Sequence, residues 1–512
     1  MAGALTGVLT AAVALGVAEL AAAIIGPNSA PVIAVGDTAI NLTPIPVKEF
    51  AITRFGSHDK EALLAGIVVL LLAFAVLTGI AAVRRIAYGL AGLAVFAGIG
   101  VAAAIHLPTA TVVDVIPTLA GVIVAIPALI ILVRAVWAGL SAGPYLGDLN
   151  PQDPPAHAPD RRRFLIAGAG AAAVAAAAGG LGDALLGRFS IASSRAQVRL
   201  PAPAVREAAV PAGTELNVPG LTPFFTSNSS FYRVDTDLVL PQVSPESWTL
   251  KIDGMVDREL EFTFADLLQM PLTETDITLV CVSNQVGGTY NGDARWLGVP
   301  LAGLLRRAGV QAGADQVLST AVDGMTISTP LTAIMDGREA LLAVGMNGQP
   351  LPIAHGFPAR MIVPGLYGYV SATKWVTKLT LTTFAKQKAY WTQRGYSAQA
   401  PIKTESRIDV PQPLSQVKAG RIAVAGVAWA PAKGIAGVQV SVDNGLWRNA
   451  TLAAADGIDT WRQWMWAWDA KPGLHNLQVR ATDNSGATQT SKRAYPVPNG
   501  ASGWDSTVVT VT

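Results

Sequence analysis

The chain has little charge and almost no cysteine. Of its 512 residues, 14% are Asp, Glu, Lys or Arg, and the formal net charge is only +2. No basic stripe with interleaved aromatic residues occurs, so we expect no nucleic-acid partner. Cys281 is the only cysteine, which excludes an internal disulfide framework and any metal site built from several cysteines.

The few charges are spread unevenly, and they divide the chain into two halves. Residues 1–186 are rich in Ala, Val, Leu, Ile and Gly, with charges confined to short gaps. The remainder has the composition of a soluble protein, in which Trp, Tyr, Asp, Pro and turn residues occur throughout. A chain of this length is too long for one ordinary domain, so we expect several.

The first half contains five apolar segments that are long enough to cross a bilayer, for which a helix needs roughly 20 residues. These segments are residues 4–25, 62–83, 86–105, 115–136 and 164–186. Basic residues lie at 84–85 and 161–163, and such residues mark the cytoplasmic side. We therefore expect a multi-pass cell-membrane protein with its N-terminus inside. The loop 26–61 and everything after residue 186 are then outside.

The segment before the fifth span resembles an export signal. Residues 160–166 read DRRRFLI, which is similar to the twin-arginine pattern of an Arg pair, any residue, Phe and Leu before a mild apolar run. That pathway exports proteins that are already folded around a cofactor. The alternative is an ordinary anchor whose basic residues stay in the cytoplasm.

The predicted spans offer few groups for redox chemistry of their own. A haem needs axial ligands, which are usually His. The bundle has only His58 and His106, and both lie at outer edges of the spans. We therefore expect no haem.

The second half mixes strands and helices before it becomes all β. Residues 188–223 are rich in Ala, Pro and Val and are predicted to be a linker. Residues 224–400 contain strand patterns such as SWTLKIDGMV and an amphipathic helix pattern, LAGLLRRAGV. Residues 401–512 contain short alternating strands separated by turn sequences, which is typical of an immunoglobulin-type β-sandwich.

We therefore predict a multi-domain chain in which an N-terminal α-helical membrane bundle precedes an α+β domain and a C-terminal sandwich. The predicted parts are a four-span region (residues 1–140), a cytoplasmic linker with the export-like signal and fifth span (141–187), a linker (188–223), the α+β domain (224–400) and the sandwich (401–512).

Cys281 ends an apolar strand and is followed by the polar stretch VSNQVGGTYNGDARWLGVPL. A lone cysteine of this kind is more often a small core residue, although a thiolate at a strand-to-loop transition can bind a soft transition metal. The segments FYRVDTDLVLPQV, HGFPARMIVPGLYG, SATKWV and YWTQRGY accompany it. In this collinear order the segments resemble the sulfite oxidase family of molybdopterin enzymes. The resemblance covers roughly residues 224–512 and excludes the apolar half.

The resemblance implies one Mo-molybdopterin per chain, with Cys281 as the protein ligand to molybdenum. It implies a molybdopterin-binding catalytic domain at residues 224–400 and a homodimer formed by the sandwich. The implied cofactor-binding residues are Tyr232, Arg233, Cys281, Asp323, His355, Arg360, Thr373 and Lys374, and the implied catalytic residues are Cys281, Tyr396 and Arg233. Donors such as Arg360 suit this cofactor because its phosphate is an anion. Arg295 is either a pterin contact or a charge packed beneath the loop.

The implied reaction is oxygen-atom transfer on a small substrate, with an external electron donor or acceptor of quinone or cytochrome type. Sulfite oxidases have two arginines where this chain has Gln285 and Val286. A further arginine that helps to bind sulfite is missing from PNGASGWDS, so we expect sulfite to be a poor substrate. The alternatives are a reductase of sulfoxide-type groups on the same scaffold and a non-enzymatic binding module on a membrane stalk.

Overall fold

The structure is a computed structural model that describes residues 1–55, 58–141 and 160–512. It divides into two compact units: unit 1 is Met1–Ser190 with Asp235–Leu240, and unit 2 is Ile191–Val234 with Pro241–Thr512. The linker predicted before the fifth span falls mostly on residues 142–159, outside the described residues. Unit 2 holds both the predicted α+β domain and the predicted sandwich, and the boundary between them stays a prediction.

Unit 1 is built from α-helices. They are α1 (Ala2–Ile25), α2 (Pro31–Leu42), α3 (Ile45–Phe55), α4 (Asp59–Arg84), α5 (Ile86–His106), α6 (Ile116–Ser141) and α7 (Asp160–Leu186). Five helical stretches in the described residues are long and apolar enough to cross a membrane: Ala2–Ile25, Asp59–Arg84, Ile86–His106, Val112–Ala138 and Arg162–Gln197. Each contains one of the five predicted spans, and the last extends beyond the predicted end at residue 186. A helix suits such segments because it satisfies the backbone polar groups internally.

Helices α2 and α3 lie in the segment for which the sequence predicted only an external loop. They have 12 and 11 residues, which is too short for the length criterion of a membrane span. Helix α2 begins at Pro31, a residue favoured at the first helical position because its missing N–H would have no helical partner there.

Small residues let helices of unit 1 approach each other closely. A Cβ atom added to Gly7 would lie 1.8 Å from the Ala75 carbonyl oxygen, and one added to Gly79 would lie 2.2 Å from the Gly3 carbonyl oxygen. Small residues are typical of membrane helix interfaces, where close packing replaces the hydrophobic driving force. Helix α1 therefore packs against α4 with their backbones nearly in contact.

The first part of unit 2 is an α+β arrangement with two sheets. Its strands are β1 (Thr249–Gly254), β2 (Leu260–Thr263), β3 (Thr273–Val280), β4 (Asn291–Pro300), β5 (Gln316–Ala321), β6 (Thr326–Pro330), β7 (Leu341–Met346), β8 (Gln349–Pro350), β9 (Arg360–Ile362) and β10 (Val376–Thr382). Its helices are α8 (Ala192–Gln197), α9 (Phe264–Gln269), α10 (Leu301–Ala308), α11 (Leu331–Met335), α12 (Gly368–Ser371) and α13 (Tyr390–Gln393). One sheet has the order β2-β1-β10-β5-β6, and the other has the order β3-β4-β7-β8 with β9 paired to β7.

The second of these sheets carries residues that the sequence marks as functional. Strand β3 is buried over most of its length and ends directly before Cys281. Strand β9 begins with Arg360. Ile277 of β3 and Trp296 of β4 are fully buried in the core on which this sheet packs. Because burial fixes the register of a strand, the same core fixes where the chain leaves β3 at Cys281.

The C-terminal part of unit 2 is a two-sheet β-sandwich. Its strands are β11 (Glu405–Val410), β12 (Gln416–Val417), β13 (Gly420–Trp429), β14 (Ile435–Val442), β15 (Arg448–Asn449), β16 (Thr451–Leu452), β17 (Arg462–Ala470), β18 (Gly473–Asp483) and β19 (Asp505–Val511). The sheet orders are β11-β13-β17-β16 and β12-β19-β18-β14-β15. Trp464 from the first sheet and Val440 and Val479 from the second are fully buried in one shared core. The immunoglobulin identity of this sandwich stays a prediction.

Candidate active site

Cys281 lies at the end of β3, with 8% of its surface exposed. Its backbone N–H donates to the Tyr290 carbonyl oxygen at 2.9 Å, and the Ser283 N–H lies 3.4 Å from its Sγ. Burial raises the pKa of the Cys281 thiol, and the hydrogen bond from Ser283 opposes this only in part. A thiolate here is therefore stable only beside a cation or a metal.

Residues 282–290 form the loop that follows, which we call the Cys loop. Asn284 donates its N–H to the Cys281 carbonyl oxygen at 3.0 Å, and its Oδ1 accepts from the Tyr290 N–H at 2.8 Å. Gly287 has a φ of +77°, a conformation that favours glycine. The Asn284 Nδ2 is buried and has no hydrogen-bond partner in the part of the chain that the structure describes.

His355, Arg360 and Lys374 are separated in sequence and meet in the fold. Gly356, at a φ of +105°, permits this meeting, because a Cβ there would lie 3.0 Å from the Arg360 Cβ and 3.1 Å from the Lys374 Cα. The Arg360 guanidinium donates to the carbonyl oxygens of His355 at 3.1 Å and Ala372 at 3.4 Å. Three predicted donors therefore converge on one place.

Arg360 is a buried cation without a carboxylate partner among the residues that the structure describes. Its Nε has no hydrogen-bond partner within the described ranges, and no carboxylate there forms an ion pair with it. The guanidinium lies 5.3 Å from the centroid of the Trp296 ring. Burial lowers the pKa of Arg360 to about 10. Because a buried charge without a counter-ion is costly, this arrangement suits a ligand that brings negative charge.

His355 is neutral at pH 7 in this environment. Burial, together with the positive charges of Arg360, Lys374 and Arg233, lowers the pKa of His355 to about 4, and burial has the largest effect. Its Nε2 lies 3.2 Å from the Asn228 carbonyl oxygen, to which a protonated Nε2 donates. The imidazole is therefore a neutral hydrogen-bonding group, and Arg233 lies close enough for its charge to lower the pKa of His355.

Tyr232 lies close enough to both Cys281 and Arg360 for their charges to shift its pKa. Burial raises the pKa of the Tyr232 phenol, a charge on Cys281 raises it further, and Arg360 opposes both effects. Its ring stacks on Phe231 with the centroids 5.3 Å apart. The predicted residues that the fold brings together here are Tyr232, Arg233, Cys281, His355, Arg360 and Lys374.

Tyr396 lies in an aromatic cluster next to this group. It is 8% exposed, and its ring centroid is 5.4 Å from that of Tyr369 and 5.1 Å from that of Trp391. Gly368 precedes Tyr369, and a Cβ added to Gly368 would lie 3.7 Å from the Tyr232 hydroxyl oxygen. The aromatic cluster therefore borders the residues around Cys281.

Thr373 and Asp323 make hydrogen bonds that serve the protein's own strands and turns. Thr373 is 1% exposed, and its Oγ1 lies 2.5 Å from the Ser319 Oγ of β5. Asp323 lies in the turn between β5 and β6, where its Oδ1 accepts from the Met325 N–H at 2.9 Å. Their roles in cofactor binding stay predictions.

Arg295, unlike Arg360, pairs with a carboxylate in the described part of the chain. Its Nε and Nη2 donate to the two carboxylate oxygens of Asp276 at 2.8 and 2.6 Å. These hydrogen bonds raise the pKa of Arg295. The sequence left two roles open for Arg295, a pterin contact or a charge packed beneath the loop. The ion pair with Asp276 favours the packed charge.

The sandwich contributes buried ionisable residues that the sequence analysis did not predict. Glu405 is 3% exposed, and burial raises the pKa of Glu405 to about 8. The pKa of Tyr367 is raised first by burial and then by charges on Glu405 and Cys281. The one available signal was the spacing of Glu405, Arg407 and Asp409, because charges at every second position of a strand share one face.

Comparisons with known proteins agree with this arrangement. The family described as oxidoreductase molybdopterin binding domain matches residues 237–391. The chain is 28% identical to the mitochondrial sulfite oxidase of Mus musculus over 289 residues, which are 48% of this chain and 52% of that protein. It is 33% identical to the uncharacterized oxidoreductase YuiH of Bacillus subtilis (strain 168) over 149 residues, 29% of this chain and 72% of that protein.

The fold also has a counterpart among solved structures. The sulfane dehydrogenase SoxCD of Paracoccus pantotrophus aligns with a TM-score of 0.50 at 24% identity, over 57% of this chain and 84% of that one. The chain spans about half the length of the sulfite oxidases that it matches, whereas it covers 72% of the Bacillus oxidoreductase. The resemblance read from the motifs is thus confirmed, and the chain belongs to the sulfite oxidase family of molybdenum-cofactor oxidoreductases.

Proposed function

We propose that the chain is a membrane-anchored oxidoreductase that transfers an oxygen atom to or from a small substrate at a molybdenum centre. The observation that carries this proposal is the buried, carboxylate-free Arg360 in the same site as the buried Cys281. An anionic pterin phosphate would supply the counter-ion for Arg360. A metal bound to Cys281 would stabilise its thiolate in the buried site.

The donor set fits molybdopterin, one per chain. Cys281 would supply the protein ligand to molybdenum, and Arg360 can bind a phosphate with two hydrogen bonds. The other proposed cofactor contacts are Tyr232, Arg233, Asp323, His355, Thr373 and Lys374. When bound, the cofactor supplies the two-electron redox step. The neutral His355 donates its Nε2–H to the Asn228 carbonyl oxygen, so it would offer Nδ1 to the cofactor as a hydrogen-bond acceptor. Arg233 and Tyr396 would orient the oxygen of the substrate.

We propose that the substrate is less charged or larger than sulfite. Gln285 and Val286 of the Cys loop stand where the resembled sulfite oxidases have arginines, and each lost charge-assisted hydrogen bond costs about 1.5–3 kcal/mol. Two such losses weaken transition-state binding by roughly two to four orders of magnitude. Steady-state kinetics with sulfite and an artificial acceptor test this. A kcat/KM of about 10⁵ M⁻¹s⁻¹ or above, as in competent enzymes, would contradict it.

We also propose that the catalytic unit lies outside the cytoplasmic membrane. The five apolar helices support membrane association, and the basic residues at 84–85 and 161–163 support this orientation. The electron partner is then an external carrier of quinone or cytochrome type. The sandwich would form a homodimer, as the family resemblance implies.

One experiment separates this function from its alternatives. Full-length protein is purified in detergent, its molybdenum is measured, and the loaded protein is screened against oxidisable and reducible small substrates with artificial electron acceptors and donors. About one molybdenum per chain is expected. Turnover only with donors and sulfoxide-type substrates would identify a reductase, and a chain without molybdenum or pterin would be a binding module.

A further inference from the structure

Arg407 connects the sandwich to the Cys loop. It lies on β11 and is 4% exposed. Its Nη1 donates to the Gly288 carbonyl oxygen at 2.7 Å and to the Asn291 Oδ1 at 2.9 Å. Its Nε pairs with the Asp409 carboxylate at 2.7 Å, and its Nη2 donates to the Thr222 Oγ1 at 3.0 Å. All three guanidinium nitrogens are thus engaged, which fixes the direction of the Nη1 hydrogen bond to the loop.

Asp505 contacts the residue just before Gly288. A Cβ added to Gly287 would lie 2.3 Å from the Asp505 Oδ1, so the carboxylate packs directly on this glycine. The carboxylate is itself fixed, because Oδ2 accepts from the Ile408 N–H at 2.9 Å and Oδ1 accepts from the Ser506 N–H at 2.8 Å. The sandwich therefore holds two consecutive residues of the Cys loop, one through a hydrogen bond and one through packing.

These contacts lie next to the positions that distinguish this chain from the sulfite oxidases it resembles. Gln285 and Val286 immediately precede Gly287 in the chain. The loop is closed at its base by the hydrogen bond between the Cys281 N–H and the Tyr290 carbonyl oxygen. Holding one backbone conformation costs about 1–2 kcal/mol of entropy per residue, so a polar, glycine-containing loop needs external contacts to remain in one place.

We propose that Arg407 and Asp505 are positioning residues of the active site, which hold the Cys loop over Cys281 and fix the placement of Gln285 and Val286. The C-terminal sandwich then takes part in setting the substrate pocket, in addition to any role in dimerisation. The effect of the sandwich on the substrate pocket rests on the function proposed above. Its contacts with the Cys loop hold that loop whether or not cofactor is bound.

The single cysteine provides a direct test in the full-length, detergent-solubilised protein. Cys281 is buried, so its alkylation by iodoacetamide in the molybdenum-free fraction requires the loop to open. Arg407→Lys keeps the charge but removes the guanidinium fork. Loss of one hydrogen bond of about 1.4 kcal/mol should accelerate alkylation roughly tenfold.

Arg462→Lys is the matched control. Arg462 begins β17, and its Nε and Nη1 donate to the carbonyl oxygens of Ala453 at 2.7 Å and Ile435 at 3.0 Å. These contacts lie within the C-terminal part of unit 2 and do not involve the Cys loop. Its alkylation rate should stay near that of the unmodified chain. Equal rates in the two lysine variants would overturn the proposal, because Arg407 would then contribute only general stability.

A second variant and a kinetic readout complete the test. Asp505→Ala removes the packing on Gly287 and should also accelerate alkylation, so it carries the test if Arg407→Lys does not fold. In molybdenum-loaded protein, Arg407→Lys should raise KM more than it lowers kcat, with unchanged metal content, whereas Arg462→Lys should change neither constant. Absence of molybdenum from every variant would contradict the proposed function, and the alkylation result would still decide the role of the sandwich.

Discussion

Replacement of Arg360 by Met should separate cofactor retention from the stability of the folded chain. Arg360 is buried and donates to the carbonyl oxygens of His355 and Ala372, and its Nε has no partner in the described residues. Met has a similar length and no charge. The substitution should therefore remove the group that we propose for the pterin phosphate, while it leaves the surrounding packing largely intact.

The magnitudes follow from the burial of the guanidinium. Burial lowers the pKa of Arg360 to about 10, and a shift of this size corresponds to about 3 kcal/mol of desolvation cost that Met would remove. The substitution also loses two hydrogen bonds, each contributing about 1–2 kcal/mol. These effects oppose each other, so the cofactor-free chain should change in stability by less than about 2 kcal/mol. Cofactor binding loses two charge-assisted bonds to phosphate, or about 3–6 kcal/mol and roughly 10²- to 10⁴-fold in retention.

The assay measures molybdenum and released pterin per chain, together with the thermal unfolding midpoint of the cofactor-free protein. Arg295→Met is the control, because it breaks the bidentate ion pair with the buried Asp276. That variant should lose roughly 3 kcal/mol of stability whether or not cofactor is present. Near-normal molybdenum and pterin in Arg360→Met would refute the assignment of Arg360 to the phosphate.

Three further predictions concern the ligand, a buried acid and the export-like signal. Cys281→Ser should abolish turnover while most of the pterin is retained, and activity near that of the unmodified chain would exclude Cys281 as the ligand. Burial raises the pKa of Glu405 from 4.5 to about 8, so the carboxyl is neutral at low pH, and its ionisation reduces the stability of the fold as pH rises from about 4.5 through about 8. Glu405→Gln should therefore raise the unfolding midpoint more at alkaline than at acidic pH, and an equal effect at both would show that the carboxyl stays in one charge state. Arg161→Lys with Arg162→Lys should leave the first four spans inserted but keep the catalytic unit inside, and unchanged external protease accessibility would favour a simple charged anchor.

The long apolar helices were the easiest part of the fold to predict. A span is a local feature, because length and composition alone decide whether a segment can cross a bilayer. Helices α2 and α3 were missed for the same reason, since they are too short to meet that criterion. The sandwich strands were also visible locally, from alternating residues between turn sequences. Their assembly into two sheets depends on pairing between distant strands, such as β13 with β17.

The candidate site could be predicted only as far as its motifs extended. Cys281, His355 and Arg360 lie in segments that resemble those of a known family, so their positions in the sequence were informative. Arg407 lies in the segment ESRIDV, whose pattern carries no comparable motif. Its acceptor Gly288 is 119 residues away in the chain. A contact of this range depends on how the sandwich packs within unit 2, which local sequence patterns do not specify.

Charge balance separates three buried or half-buried arginines that look alike in the sequence. Arg295 pairs with Asp276, and Arg407 pairs with Asp409. Arg360 has only backbone carbonyl oxygens as described acceptors, although it is as deeply buried as Arg407. A protein gains nothing in stability from an isolated buried cation, so its presence indicates a counter-ion supplied from outside the chain. The partners of each guanidinium therefore support the proposed contact between Arg360 and an anionic cofactor, whereas Arg295 and Arg407 have the partners expected of structural and positioning residues.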